Sequence, residues 1–225
     1  MNKYAIIIAG PSGAGKTTIA DGLIESLGNL EMSRSATTRE KRGDGRDNEY
    51  IYLQKDEFLQ SVSNGDMLEY TEYGGNYYGT RKVEFERIWS MNKNPILVLD
   101  YNGAASLKAN LDMPVFAIYV YTTLKEAEQR LLKRDAVSTP TEKQKETFLK
   151  RLKNNVSDYL KLSEFSSLFD LYVENSDLAK CIEDIEKALG VLMRGSAVMT
   201  ETEKKRITDS FKAEAETSYV IPNVE

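Results

Sequence analysis

Apolar residues gather along this chain in short blocks. Four of these blocks, 4–9, 96–100, 115–121 and 171–174, are rich in β-branched side chains and lack clean alternation. That is the pattern of strands covered on both faces in a parallel sheet. Between them the apolar spacing shifts to three and four. Ile19, Leu23 and Leu27 form a helical stripe that stops at Gly28. Thr123 and Glu126 make a capping box ahead of Leu124, Ala127 and Leu131. Pro140 and Thr141, with Gln144, open a helix whose stripe runs Phe148, Leu152, Val156, Tyr159. Leu178, Ile182, Ile185 and Leu189 mark another, with Cys181 on the same face as a small core residue. Strands alternating with helices predict an α/β fold with crossover connections.

Residues 33–94 break that rhythm. They are rich in Tyr, Thr, Gly and Arg, strand-like around 50–53, 67–70 and 76–80, and helical around 55–63 and 82–92. This predicts an α+β insertion between the first core helix and the next core strand. After Gly190 the pattern weakens. Residues 200–217 are charged and helical in spacing, with Ile207 and Phe211 as their only large apolar pair. The sequence leaves three readings of 191–225 open: a disordered extension, a helix docking on the core, or an assembly element.

Composition narrows the chemistry. Of 225 residues, 41% are hydrophobic and 29% charged, enough for a buried core and unlike a disordered chain. A net charge of -5 argues against nucleic-acid binding, which needs a basic face. There is no histidine, so histidine-based triads, general bases and metal sites are excluded. One cysteine makes neither an internal disulfide nor a cysteine zinc cluster, and points to a reducing cytoplasm. The longest apolar runs, 5–9 and 96–99, are strand-length and too short to span a membrane. The opening MNKYAIIIAGPSG carries a single positive charge and runs straight into a motif, so it does not read as a cleaved signal peptide.

That motif is GPSGAGKT at 10–17, a match to G-x-x-x-x-G-K-[ST] after a buried strand and before an amphipathic helix. Chance produces the pattern in roughly one such sequence in a hundred, before that context is required. Gly10, Pro11, Ser12, Gly13, Ala14 and Gly15 would let backbone N–H groups converge on phosphate oxygens, with Thr18 following in the helix. Lys16 would neutralise β/γ-phosphate oxygens and the Thr17 hydroxyl would ligate Mg²⁺. Asp100 ends the second apolar strand, either as a carboxylate facing metal and phosphates or as a polar strand terminus.

The insertion carries a second set. Arg39 and Arg42, spaced by three among hydroxyl residues, suit a doubly charged phosphate, although an ordinary charged loop has the same composition. Tyr50 and Tyr78 read either as half-buried packing residues or as donors to that phosphate.

These segments, S-x-T-T-R-x-x-R at 35–42, MLEY at 67–70 and G-N-Y-Y-G-T at 75–80, follow the phosphate loop in an order that resembles the guanylate kinase family. The resemblance covers about residues 4–190. It implies a parallel-sheet core at 1–32 and 95–190, a GMP-binding insertion at 33–94 and a lid at 130–155, with 191–225 as an extension. It further implies transfer of the γ-phosphoryl group of ATP, with Mg²⁺, to GMP and also dGMP. Arg39, Arg42, Tyr50 and Tyr78 fall on the GMP phosphate, Ser35, Glu69 and Thr80 on guanine, and Asp100 at the junction of the two substrates. Lys16, Arg42, Arg134 and Arg151 fall on the transferring group, and Asn175 where the family packs a loop against adenine. Two other readings remain: a kinase for another phosphorylated small molecule, and an inactive binding module of the same fold. Three features depart from the family pattern. The span from Arg134 to Arg151 is several residues longer, which brings Arg130 and Lys133 forward as substitutes for Arg151. Asp158 stands where a glutamate is frequent, and the tail runs past the usual end.

Overall fold

The structure is a computed structural model that describes residues 3–41, 47, 50–73, 75–134 and 141–222. The chain forms two compact units, 1–8 with 20–116, and 9–19 with 117–225.

In the first unit, β1 (Ala5–Ala9) is buried along its whole length, as its unbroken apolar run requires. Helix α1 (Lys16–Leu27), of which residues from Ala20 onward belong to this unit, follows, then β2 (Leu30–Met32). A separate four-stranded sheet comes from β3 (Ser35–Thr37), β4 (Tyr50–Tyr52), β5 (Met67–Tyr73) and β6 (Asn76–Arg81), in the order β4–β3–β6–β5. Around it lie α2 (Lys55–Ser63) and α3 (Lys82–Ser90). The chain then returns as β7 (Asn94–Val98) and α4 (Tyr101–Asn110). Strand β7 pairs in parallel with both β2 and β1, Ile6 opposite Ile96 and Leu30 opposite Asn94.

The apolar pattern marks most of these elements. It does not mark β2, β3 or α4. The two strands are three residues long, too short for a period to show. Helix α4, YNGAASLKAN, buries only Gly103, Ala104 and Leu107, so small residues replace the usual stripe. Its start is fixed instead by Asp100, whose Oδ1 accepts the Gly103 N–H at 2.7 Å.

In the second unit, the loop 10–15 is joined by β8 (Val115–Tyr121), α5 (Leu124–Arg134) and α6 (Glu142–Lys161). A 3-10 segment (Leu162–Leu168), β9 (Leu171–Glu174) and α7 (Leu178–Leu192) follow. Strands β8 and β9 pair in parallel, Ile118 opposite Leu171. The capping box expected from the sequence forms, with Glu126 N–H donating to Thr123 Oγ1, and Thr141 and Gln144, which open α6, cap each other reciprocally. Cys181 is buried as expected, and burial pushes its thiol up to about 11, which keeps it inert.

Of the three readings of the tail, the docking helix is the one seen. Helix α8 (Glu201–Ala213), capped by Thr200 and Glu203, runs into a π turn at Glu214–Ser218. Of its large apolar pair, Phe211 is buried. Ile207 is only half-buried, and Lys204 and Thr208 are buried beside Phe211. The stem of Lys204 covers apolar surface while its ammonium reaches Glu201 at 2.8 Å. Among the described residues, no helix is long and apolar enough to cross a membrane.

Candidate active site

The glycine-rich loop sits in the second unit, where it is built to hold an odd backbone shape. Gly13 has φ +90°, and a Cβ there would lie 2.5 Å from the carbonyl oxygen of Ala127 on α5. Gly13→Ala is therefore expected to destabilise the fold by about 2–4 kcal/mol, read by urea unfolding. An unchanged unfolding midpoint would mean that the loop relaxes freely away from α5.

Lys16 opens α1 with its ammonium folded back over the loop, donating to the carbonyls of Gly10 at 2.8 Å and Pro11 at 2.9 Å. Thr17 is half-buried beside it and Thr18 is exposed. The first turn of a helix presents N–H groups and the positive end of the dipole, an arrangement suited to anions. Two asparagines brace this loop from behind. Asn175, buried, donates through Nδ2 to the Ala14 carbonyl at 2.8 Å, and its own carbonyl accepts Arg130 Nη2 at 2.6 Å. Asn155 of α6 accepts the Ser12 N–H at 2.8 Å and donates to the Ser12 carbonyl at 2.9 Å. Sequence reasoning missed Asn155. Its signal is a carboxamide between Leu152 and Tyr159 on an otherwise apolar stripe.

A different chemistry is assembled in the first unit. Strands β5 and β6 pair antiparallel with Glu69 opposite Thr80, after an irregularity between Met67 and Glu69. Thr80 Oγ1 donates to Glu69 Oε1 at 2.6 Å, and both side chains are buried, Glu69 only 3% exposed. Burial, reinforced by the nearby Asp100 charge, pushes the Glu69 carboxyl up to about 7 against the pull of the Thr80 hydrogen bonds. Gly103 keeps room for both acids. A Cβ on it would come within 3.3 Å of Asp100 Oδ1 and 3.4 Å of Glu69 Oε2.

The four-stranded sheet also gathers an aromatic and cationic group. Arg39 lies 5.1 Å over the Tyr50 ring and 5.8 Å over that of Tyr52. Tyr50 meets Tyr78 edge-on at 6.4 Å. Arg39 Nη2 donates to the Tyr52 hydroxyl at 3.2 Å, which in turn donates to Asp47 at 2.8 Å. Arg39 Nη1 is buried with no hydrogen-bond partner among the described residues, a guanidinium edge that calls for an anion. Tyr52 is the second residue that sequence reasoning passed over; it stands two positions from Tyr50, on the same face of β4. Ser35 opens β3 directly opposite Tyr50 in the parallel pair.

Three of the residues expected at the site are less defined. Arg42 lies outside the described residues. Arg134 is exposed at the end of α5, and Arg151 is half-buried on α6. The segment 135–140 between those helices also lies outside the described residues.

A glycine-rich loop led by a buried strand and closed by a lysine at a helix start, together with a buried carboxylate–hydroxyl pair and an arginine–tyrosine group on a second sheet, fits a P-loop phosphotransferase. Comparison with known proteins narrows the class. The guanylate kinase family model matches residues 2–191. The guanylate kinase of Porphyromonas gingivalis is 37% identical over 188 residues, covering 82% of this chain and 95% of its own. That of Clostridium perfringens is 36% identical over 185 residues, covering 82% and 81%. The human guanylate kinase is 32% identical over 186 residues, covering 82% and 91%. A crystal structure of guanylate kinase from Anaplasma phagocytophilum matches with a TM-score of 0.54 at 22% identity, over 96% of this chain and 88% of that one; it speaks for the fold. The chain belongs to the guanylate kinase family, and with it to the nucleoside monophosphate kinases. Kinases of other small phosphorylated molecules and inactive modules are not favoured by these relatives.

Proposed function

We propose that the loop at 10–17 binds ATP, that the pocket of the four-stranded sheet binds GMP, and that the γ-phosphoryl group passes between them to give ADP and GDP. The observation that carries the GMP reading is the buried Glu69–Thr80 pair in the same unit as the Arg39 edge that has no partner among the described residues. Guanine offers N1–H and the N2 amine side by side, and one carboxylate accepts both. Adenine has no N1–H, so it would leave Glu69 partly unpaired, at about 1–3 kcal/mol for each lost buried bond. Thr80 donates its proton to Glu69, so its hydroxyl can donate to guanine O6 only if that bond is exchanged. Ser35 and the Thr80 backbone region complete the base contacts in this reading, with Asp100 beside them.

Arg39, Arg42, Tyr50 and Tyr78 hold the GMP phosphate, and Tyr52 orients Arg39. In this reading dGMP is accepted too. On the donor side, amides of residues 13–18 and the Lys16 ammonium take the ATP phosphates, and in this reading the loop that bears Asn175 packs against adenine while its side chain braces Ala14. Arg134 and Arg151 supply charge to the transferring group. Transfer itself needs two nucleotides in line, cations on the equatorial oxygens and exclusion of water. No histidine is required.

The residues present fit magnesium. The Thr17 hydroxyl is a hard oxygen ligand at the start of α1, and Mg²⁺ otherwise retains waters and phosphate oxygens. Bound there with ATP, it would neutralise charge on the β- and γ-phosphates. A reducing cytoplasm is the compartment that suits the free thiol of Cys181.

The test is coupled ADP release with GMP, dGMP, AMP, UMP and dTMP as acceptors. Release driven by GMP and dGMP at least about a hundredfold faster than by the other bases is expected. Equal rates across the panel, or ATP breakdown independent of any acceptor, would refute the pocket assignment.

A further inference from the structure

Residues beyond 191 fall outside the stretch that matches the family model, yet their described part is built into the second unit. Phe211 of α8 stacks on Tyr159 of α6, ring centroids 4.6 Å apart at 21°. It also lies 4.8 Å from the Tyr121 ring. Tyr159 is fully buried, and its hydroxyl donates to the carbonyl of Thr122, just ahead of α5. The Glu214 carboxylate accepts the main-chain N–H of Leu124 at 2.7 Å, at the first residue of α5. An anion is favoured there by the helix dipole. Further along, the Tyr219 hydroxyl donates to Glu128 at 2.8 Å, and Ile221 packs on Leu131, Phe148 and Leu152. The tail thus ties α5 to α6, the helices that carry Arg134 and Arg151.

One turn before Tyr159 on α6 stands Asn155, 1% exposed. Burying a carboxamide on an apolar stripe is unfavourable unless both ends are paired. Here both are paired, and by one residue of the phosphate loop: Ser12 N–H to Oδ1 at 2.8 Å, and Nδ2 to the Ser12 carbonyl at 2.9 Å. The contacts form a chain from Phe211 to Tyr159, along one turn of α6 to Asn155, and from there to the loop.

We propose that Asn155 is a positioning residue that fixes the phosphate loop in its nucleotide-binding shape, and that the tail acts through it by seating α6 with Phe211 and Glu214. The inference rests on the reading of that loop as the ATP site. No tail residue is assigned a nucleotide contact. Its effect is felt as loop position, and a displacement of about 1 Å in such a site costs on the order of a hundredfold in rate.

The experiment uses the full chain and the variants Asn155→Ala, Phe211→Leu, the two combined, and Glu214→Ala. ATP affinity is read as KM at saturating GMP and as Kd by calorimetry with ATP alone. Asn155→Ala and Phe211→Leu are each expected to raise both ATP constants about tenfold, with KM for GMP within about twofold of the parent. The combined variant should be no worse than Asn155→Ala, because both changes act on the same contact. Glu214→Ala, a milder change, should raise the ATP constants about threefold and keeps the test available if Phe211→Leu does not fold. Variants that melt earlier yet keep their ATP constants within twofold of the parent would overturn the inference, as would losses that multiply in the combined variant. A parent chain that binds no ATP would instead remove the ATP-site reading itself.

Discussion

Lys16→Met is expected to lower turnover with saturating ATP and GMP by about a thousandfold or more, in a protein that still folds. The ammonium is held at the mouth of the loop by the Gly10 and Pro11 carbonyls, 2.8 and 2.9 Å away. Methionine replaces the aliphatic stem and ends where the ammonium would begin, so what is removed is the charged group. In phosphoryl transfer the protein contributes position and positive charge rather than covalent chemistry, and this lysine is the charge that the loop itself carries. Losing its two hydrogen bonds costs stability only about 1–3 kcal/mol. Coupled ADP release and circular dichroism separate the two effects. Turnover within tenfold of the parent would show that the charge is dispensable.

Glu69→Gln is expected to lose guanine preference and gain stability at neutral and alkaline pH. A carboxamide offers one acceptor and one donor to a base edge that presents two donors, so KM for GMP should rise by about a hundredfold, through one lost and one repulsive contact. Stability moves the other way. The carboxyl's ordinary value is 4.5 and burial raises it to about 7, so between those values the folded state holds a proton that the unfolded chain has released. The parent therefore loses stability as pH climbs through that window, on the order of 3 kcal/mol in all. The glutamine variant has no such loss. Its melting temperature relative to the parent should climb from pH 5 to pH 8, and a constant difference would contradict the buried carboxylate. In the parent, KM for GMP should rise as pH falls below about 7, because only the ionised carboxyl accepts both guanine donors.

The phosphate loop was legible because its residues are contiguous and each glycine has a mechanical reason. The strands β1, β7, β8 and β9 were legible because burial on both faces leaves an unbroken apolar run. The Glu69–Thr80 pair is different in kind: eleven positions apart, it exists only once β5 and β6 take their register. Resemblance indicated both residues, while their mutual hydrogen bond and the raised carboxyl needed the fold. Tyr52 and Asn155 were hidden for opposite reasons. Tyr52 is one tyrosine among many and passes as packing, whereas Asn155 breaks its stripe but has a partner 143 positions away. The tail was legible as a charged helix, but not which side it buries: a lysine stem and a threonine accompany Phe211 there, and long amphipathic side chains can cover apolar surface without marking a stripe.

The most direct measurement is to follow the label from ATP carrying a marked γ-phosphate, incubated with the chain, magnesium and GMP. The mark is predicted to appear on the terminal phosphate of GDP, at a rate that depends on GMP and vanishes in Lys16→Met. Label recovered as inorganic phosphate, or left on ATP while GMP stays unchanged, would contradict phosphoryl transfer between two bound nucleotides.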